Sequence, residues 1–163
     1  MPFGEIQAGQ ASYDLFAMAL MSKSILITAA EAAELQPAPI SSSWILHGTP
    51  ETRSKELARG LDKTSYVMVW DCTAGVFNWH YNKDETLVVI AGEAFITYGN
   101  TQERRILPGD IVFFPAGTLA KWRVPKYIKK VAVLRYTMPR PIGFAILVWN
   151  FLLRRIRGVG GGL

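Results

Sequence analysis

Between Gly75 and Gly92 the chain reads GVFNWHYNKDETLVVIAG, and three of its side chains are of types that bind and move protons or orient polar groups. Asn78 and His80 stand two positions apart in an aromatic stretch, and Glu85 follows with four residues between it and His80. Side chains alternate across a strand, so Asn78 and His80 are expected on one face and Trp79 and Tyr81 on the other, with the first pair's Cα atoms roughly 6.5 Å apart. A carboxyl group in apolar surroundings is driven towards its neutral form, whereas a neighbouring imidazolium draws it back. Glu85 and His80 are therefore candidates to share a proton near neutral pH and to act as general acid and base. A structural alternative stays open, in which Glu85 satisfies nearby donors and His80 is a lining imidazole bonded to it.

A second stretch, GDIVFFPAGTLAKW, places Gly109, Pro115, Gly117 and Ala120 in a fixed order downstream. The two stretches resemble the first and second motifs of the cupin superfamily. With His80 as the second histidine of its His-x-His, Glu85 and Gly92 fall where the first motif has a glutamate and a glycine. Ala120 stands where the second has a histidine. From about Trp70 to Arg135 the chain is most similar to the branch related to the (S)-ureidoglycine aminohydrolase cupin domain, through the phrases WHY, DE, AGEA, PGD and FFPAG followed by Trp122.

The resemblance implies a jelly-roll barrel whose metal, where one is held, is bound by three histidines and a glutamate. This chain keeps His80 and Glu85, with Asn78 and Ala120 in the other two places. A catalytic metal needs about three protein ligands, so the set is complete only if Asn78 lends its carbonyl oxygen. An amide oxygen suits a hard cation, which points to manganese or another divalent metal. Two functions are compatible with this. One is a barrel that binds a small polar metabolite over a degraded metal site. The other is an active metal-dependent enzyme, aminohydrolase or isomerase-like, using His80 and Glu85.

Strand parity supplies further pocket candidates. Counting from Ala120, Trp122 is again inward and Lys121 and Arg123 outward, while Leu87 and Val89 share parity with Glu85. Asn78, Leu87, Val89, Ala120 and Trp122 thus make a ligand-binding set, with Trp122 either a stacking platform or core filling.

The elements that must hold these residues read as strand and turn. Short strands are expected at Trp44–His47, Ser65–Cys72, Phe77–Tyr81, Thr86–Ala91, Ala94–Tyr98, Gln102–Ile106, Asp110–Phe114, Leu119–Val124 and Ile128–Thr137. Turns lie at Gly99-Asn100 and Pro108-Gly109-Asp110. Thr49 to Lys63 reads as a polar connection with a helical turn near Lys55 to Arg59. That interval of strands points to an all-β fold, a jelly roll or double-stranded β-helix, spanning 44–138. Before it, Thr28-x-x-Glu31 is a capping box for a short helix from Ala29 to Leu35, followed by a linker, within 23–43. Residues 1–22 read as a weakly helical or disordered extension with no Lys or Arg ahead of its apolar part, so a secretory leader is not expected. After it, Pro141 suits the first turn of an apolar-basic helix at 139–158, and 159–163 form a flexible tail.

At 163 residues the chain is long enough for one core. Its charge is divided: through Asp110 there are 8 basic and 13 acidic residues, and after it 10 basic and none acidic. That asymmetry suggests an anionic partner, either a membrane surface met by Ile142 to Arg157 or the acidic front half of a second copy in a homodimer. Nucleic acid is not expected, because no nucleic-acid motif accompanies the basic residues. Cys72 alone permits no internal disulfide, which fits a cytoplasmic protein with or without membrane association, and its strand context makes it a small buried hydrophobe. His47 reads as a satisfied or solvent-facing histidine, with a ligand role open only if its strand lies beside the pocket.

Overall fold

Two long strands organise the chain. β4 (Ser65–His80) and β9 (Leu119–Arg135) pair antiparallel from Ser65↔Arg135 to His80↔Leu119. In the computed structural model, which describes residues 25–157, they join β1 (Gln36–Pro37), β2 (Ile45–His47), β3 (Thr52–Arg59), β5 (Asp84–Gly92), β6 (Ala94–Tyr98), β7 (Arg104–Ile106) and β8 (Ile111–Phe114). One helix, α1 (Arg140–Arg157), follows the strands. The extension at 1–22, the helix stop at Gly158 and the tail at 159–163 lie outside the described residues.

Separate strands were expected on either side of Thr73 and of Pro125, but each pair is one strand with a bend. The β4–β9 ladder shifts register between Thr73 and Gly75, opposite Pro125 and Lys126. Pro125 has no N–H to give the ladder, so the irregularity falls where pairing is weakest. Beyond the bend the first half of β9 pairs with β6, and its second half pairs with β5. The result is two layers. One runs β1-β3-β4-β9-β5-β8, and the other is made by β2, the far half of β4, the near half of β9, β6 and β7. Their inner faces share one core, in which Trp70, Leu87 and Ile128 of the first layer meet Phe77, Ile96 and Trp122 of the second.

Gly92 ends β5 in a left-handed conformation, φ +72°. A Cβ there would lie 2.0 Å from the Tyr127 carbonyl oxygen, so the crossing from β5 to β6 under β9 is open to glycine alone.

Three local expectations are corrected. Lys55 to Arg59 forms no helical turn, because Thr52–Arg59 is β3, paired with β4 from Thr52↔Cys72 to Arg59↔Tyr66. Pairing with a long neighbouring strand outweighs a weak local helical preference. The capping box at Thr28 does not form. Ala29 caps a short 3-10 turn, Ala30–Ala32, and the Thr28 hydroxyl donates to the Ala29 carbonyl. With no buried residue in that turn, nothing offsets helix nucleation. The linker also contributes β1, which pairs with β3. The two turns are as read: Thr101 N–H donates to Tyr98 O, and Asp110 N–H to Leu107 O.

Among the described residues, no helix is long and apolar enough to cross a membrane.

Candidate functional site

The inner face of β5 carries Glu85, Leu87 and Val89, all buried, as alternation required. The inner face of β9 carries Ala120, Trp122, Val124, Ile128, Lys130 and Ala132. Of the expected ligand-lining set, Leu87, Val89, Ala120 and Trp122 therefore face the interior together with Glu85.

Asn78 and His80 do not. The β4 residues buried in the shared core are Trp70 and Cys72 before the bend and Phe77 after it, with Trp79 packed on the same core and Tyr81 continuing that face. Five positions separate Cys72 from Phe77, an odd number, so the inward parity flips across the irregularity at Thr73–Gly75. The three aromatic rings go in and the polar residues between them go out. His80 is exposed, its ring 5.0 Å from that of Trp44, and it stands opposite exposed Leu119. This corrects the expected orientation: His80 and Asn78 share a face, but it is the outer one, so His80 is not available to exchange a proton with Glu85.

Glu85 instead meets a residue that sequence reasoning passed over. Lys130 donates to the Glu85 carboxylate at 2.5 Å, and both side chains are 4% exposed. The Lys130 Nζ lies 4.8 Å from the centre of the Trp70 ring, 5.0 Å from Trp122 and 5.7 Å from Trp79. A cation over ring faces is attracted by their quadrupoles, so the ammonium has both a counter-ion and a cage. Trp122 donates its indole N–H to the Tyr81 hydroxyl at 3.0 Å, and Tyr81 stacks on Phe114 at 4.3 Å. Burial, and then the charge of Glu85, hold the Tyr81 phenol well above its ordinary pKa, so it stays a neutral donor and acceptor. The signal for Lys130 was present in its strand: Ile128, Lys130 and Ala132 share one parity, and the outer two are plainly core residues.

The side chains do not fit the metal the resemblance implied. Asn78 and His80 face away, Glu85 is engaged by a side-chain cation, and no group of three His, Cys, Asp or Glu that could hold an ion occurs among the described residues. The expected ligand set Asn78, His80 and Glu85 is not assembled.

An open cleft of about 720 Å³ lies between the β6–β7 hairpin and β8. Its lining includes Ile96, Ile106, Phe114 and Ala120, all buried, with Tyr98 and Leu119 exposed. Phe114 and Ala120 form the side nearest the core, since Phe114 stacks on Tyr81 and Ala120 pairs with Trp79. Two arginines line it and differ in orientation. Arg105 stands opposite Phe95 and pairs with Glu93. Arg104 stands opposite Ile96 and so shares the inner face with Ile96 and Ile106, yet it is exposed and makes no ion pair among the described residues. Asp110, also on the lining, accepts from the Leu107 N–H at 2.8 Å. Arg104 was missed because the basic residues were read as a surface distribution, although its two-residue offset from Ile106 gives its face. His47 is exposed and Cys72 is buried, its thiol pushed up to about 12 chiefly by burial.

Residues 59–132 match the family model of the EutQ-like cupin domain. Comparison with curated proteins finds no match. Among solved structures, the chain is similar to a protein of unknown function of the DUF861 family from Pseudomonas syringae, with 25% identity and a TM-score of 0.62 over 69% of this chain and 48% of that one. The chain thus spans about half the length of that relative. It is also similar in fold to a cupin 2 conserved barrel domain protein from Rhodopseudomonas palustris, with 14% identity and a TM-score of 0.54 over 71% of this chain and 83% of that one. The matched segment and the likeness in fold agree: the chain has a cupin-like jelly-roll fold, and its residues 59–132 are similar to the EutQ-like cupin domain.

Proposed function

We propose that this cupin domain is a binding module for a small organic anion, held in the cleft between the β6–β7 hairpin and β8. The observation that carries the reading is Arg104, which lines the cleft from the face of the hairpin that carries Ile96 and Ile106 and makes no ion pair among the described residues. A cleft of about 720 Å³ is of the size small molecules use, and its apolar lining would take a flat or aliphatic body while the guanidinium takes a carboxylate or phosphate. The metabolite site expected deeper in the barrel has less room for a guest, since Trp70, Trp79, Trp122, Tyr81 and Phe114 fill that space around the Lys130–Glu85 pair. The likeness to the ureidoglycine aminohydrolase branch rests on its sequence phrases. A metal-assisted reaction on His80 and Glu85 draws no support from side chains on opposite faces of the sheet.

Calorimetric titration with a panel of small carboxylates and phosphate monoesters tests the reading. A charge-assisted contact contributes about 1.5–3 kcal/mol, so Arg104→Gln should weaken the best anion by about tenfold to a hundredfold. Arg105→Gln, which loses only the exposed pair with Glu93, should leave it nearly unchanged. Equal loss in both variants would show general charge attraction and end the proposal.

A further inference from the structure

We propose that α1 is an interfacial anchor that docks the domain on a bilayer surface containing anionic phospholipid. Projected at 100° per residue, Ile142, Ala145, Ile146, Trp149, Leu152, Leu153 and Ile156 fall within one arc of the helix. Asn150, Arg154 and Arg155 fall on the other side. Trp149 is 63% exposed and Ile156 80% exposed, and Leu153 is the one large apolar side chain between Ile142 and Ile156 that is not in the exposed class. A Cβ added at Gly143 would touch nothing, so the helix stands clear of the barrel there as well.

Charge identifies the occupant. Neither Arg154 nor Arg155 makes an ion pair among the described residues, and no acidic residue follows Asp110 anywhere in the sequence. Five of the chain's carboxylates, Asp71, Glu56, Glu93, Glu103 and Glu85, already hold Arg53, Arg59, Arg105, Arg123 and Lys130 and are poor partners for these arginines in a second copy. A self-contact along the apolar arc would also leave Phe144, Leu147 and Phe151 in water on the opposite side, where they are exposed now. A headgroup layer covers both, since a helix sunk into it buries its apolar arc in acyl chains and holds Phe144, Leu147 and Phe151, on the opposite side, among the headgroups beside the arginines. The Arg155 guanidinium already lies over the Phe151 ring, at 5.4 Å, so the charge sits beside the aromatic that would share the interface with it. The apolar stretch from Pro141 to Leu153 spans about 20 Å, short of the ~30 Å hydrocarbon core, which favours lying in the surface over crossing it.

The test uses the full chain in flotation with vesicles of pure phosphatidylcholine and of phosphatidylcholine mixed with phosphatidylglycerol. The mixed vesicles should carry the protein and the neutral ones should not, with binding falling as salt rises. The emission assigned to Trp149, taken as the difference between the native protein and Trp149→Phe, should shift to the blue on binding. Arg154→Gln with Arg155→Gln should weaken partition by about thirtyfold. Leu152→Glu should abolish it, with an unchanged melting temperature showing that the barrel is intact. Equal binding to both vesicle types, no binding to either, or a dimer in sedimentation that Leu152→Glu dissociates while vesicles remain empty would each overturn the proposal.

Discussion

Replacing Lys130 by methionine should be among the most damaging single changes in this barrel, and the reason lies in what is left behind. Methionine approximates the lysine stem, so the change removes a charge with little loss of volume. Glu85 then keeps its carboxylate at 4% exposure with its cationic donor gone. Leaving one member of a buried pair uncompensated costs about 3–5 kcal/mol. For a chain of this length each kilocalorie lowers the midpoint by roughly 2–4 °C, so a fall of about 6–20 °C is expected. Combining Lys130→Met with Glu85→Leu removes both charges and should return stability to near the native value, since the Coulombic gain of a buried pair roughly balances its desolvation. Thermal and urea denaturation of the two single variants and the double variant close a mutant cycle. Lys121→Met, on the exposed face of the same strand, is the control. A Lys130→Met cost below about 1 kcal/mol, or a double variant no better than the single, would refute a sealed, mutually compensating pair.

Four other substitutions probe different parts of the structure. Gly92→Ala should cost more than about 2 kcal/mol in urea unfolding, because it sets a side chain at positive φ and drives its Cβ onto the Tyr127 carbonyl. Cys72, buried with its pKa raised to about 12, should resist a thiol reagent in the native protein and react at once in denaturant. The same shift fixes a pH dependence. Below the ordinary thiol value of 9.0 both states hold the proton, and above it only the native state does, so stability falls as pH rises towards 12, by up to about 1.4 kcal/mol per unit. Cys72→Ala should flatten that part of a stability-against-pH curve. Finally, His80→Ala and Asn78→Ala should each change stability by less than about 0.5 kcal/mol and leave anion binding in the cleft intact, as expected for residues on the outer face; loss of binding in either would return them to the site.

The buried Lys130–Glu85 pair bears on how this barrel is built. In the resemblance, Glu85 is the carboxylate of a metal site. Here the neighbouring strand supplies a cation covalently, through Lys130, and three tryptophans surround it. A tethered ammonium cannot leave and offers no open coordination position, so the interior is fixed as a packed core while the cleft carries Arg104, which makes no ion pair among the described residues.

Sequence by itself determined most of the strands, though not β1 or β3, the single core, the inward parity of Glu85, Leu87, Val89, Ala120 and Trp122, and the glycine that closes β5, because alternation and turn chemistry are local properties. It also marked the tail as a helix bounded by Pro141, with its arginines grouped at the end. Tertiary structure decided the rest. Whether Asn78 and His80 or their aromatic neighbours face inward turns on a one-residue slip between two strands about fifty positions apart, which no local pattern encodes. Thr52–Arg59 became a strand because β4 offered it a partner, not because of its own composition. And Lys130 reaches Glu85, 45 positions earlier, only because β9 pairs with β5 after bending past Pro125, a closure that brings two charges together inside apolar walls and makes each the condition for the other.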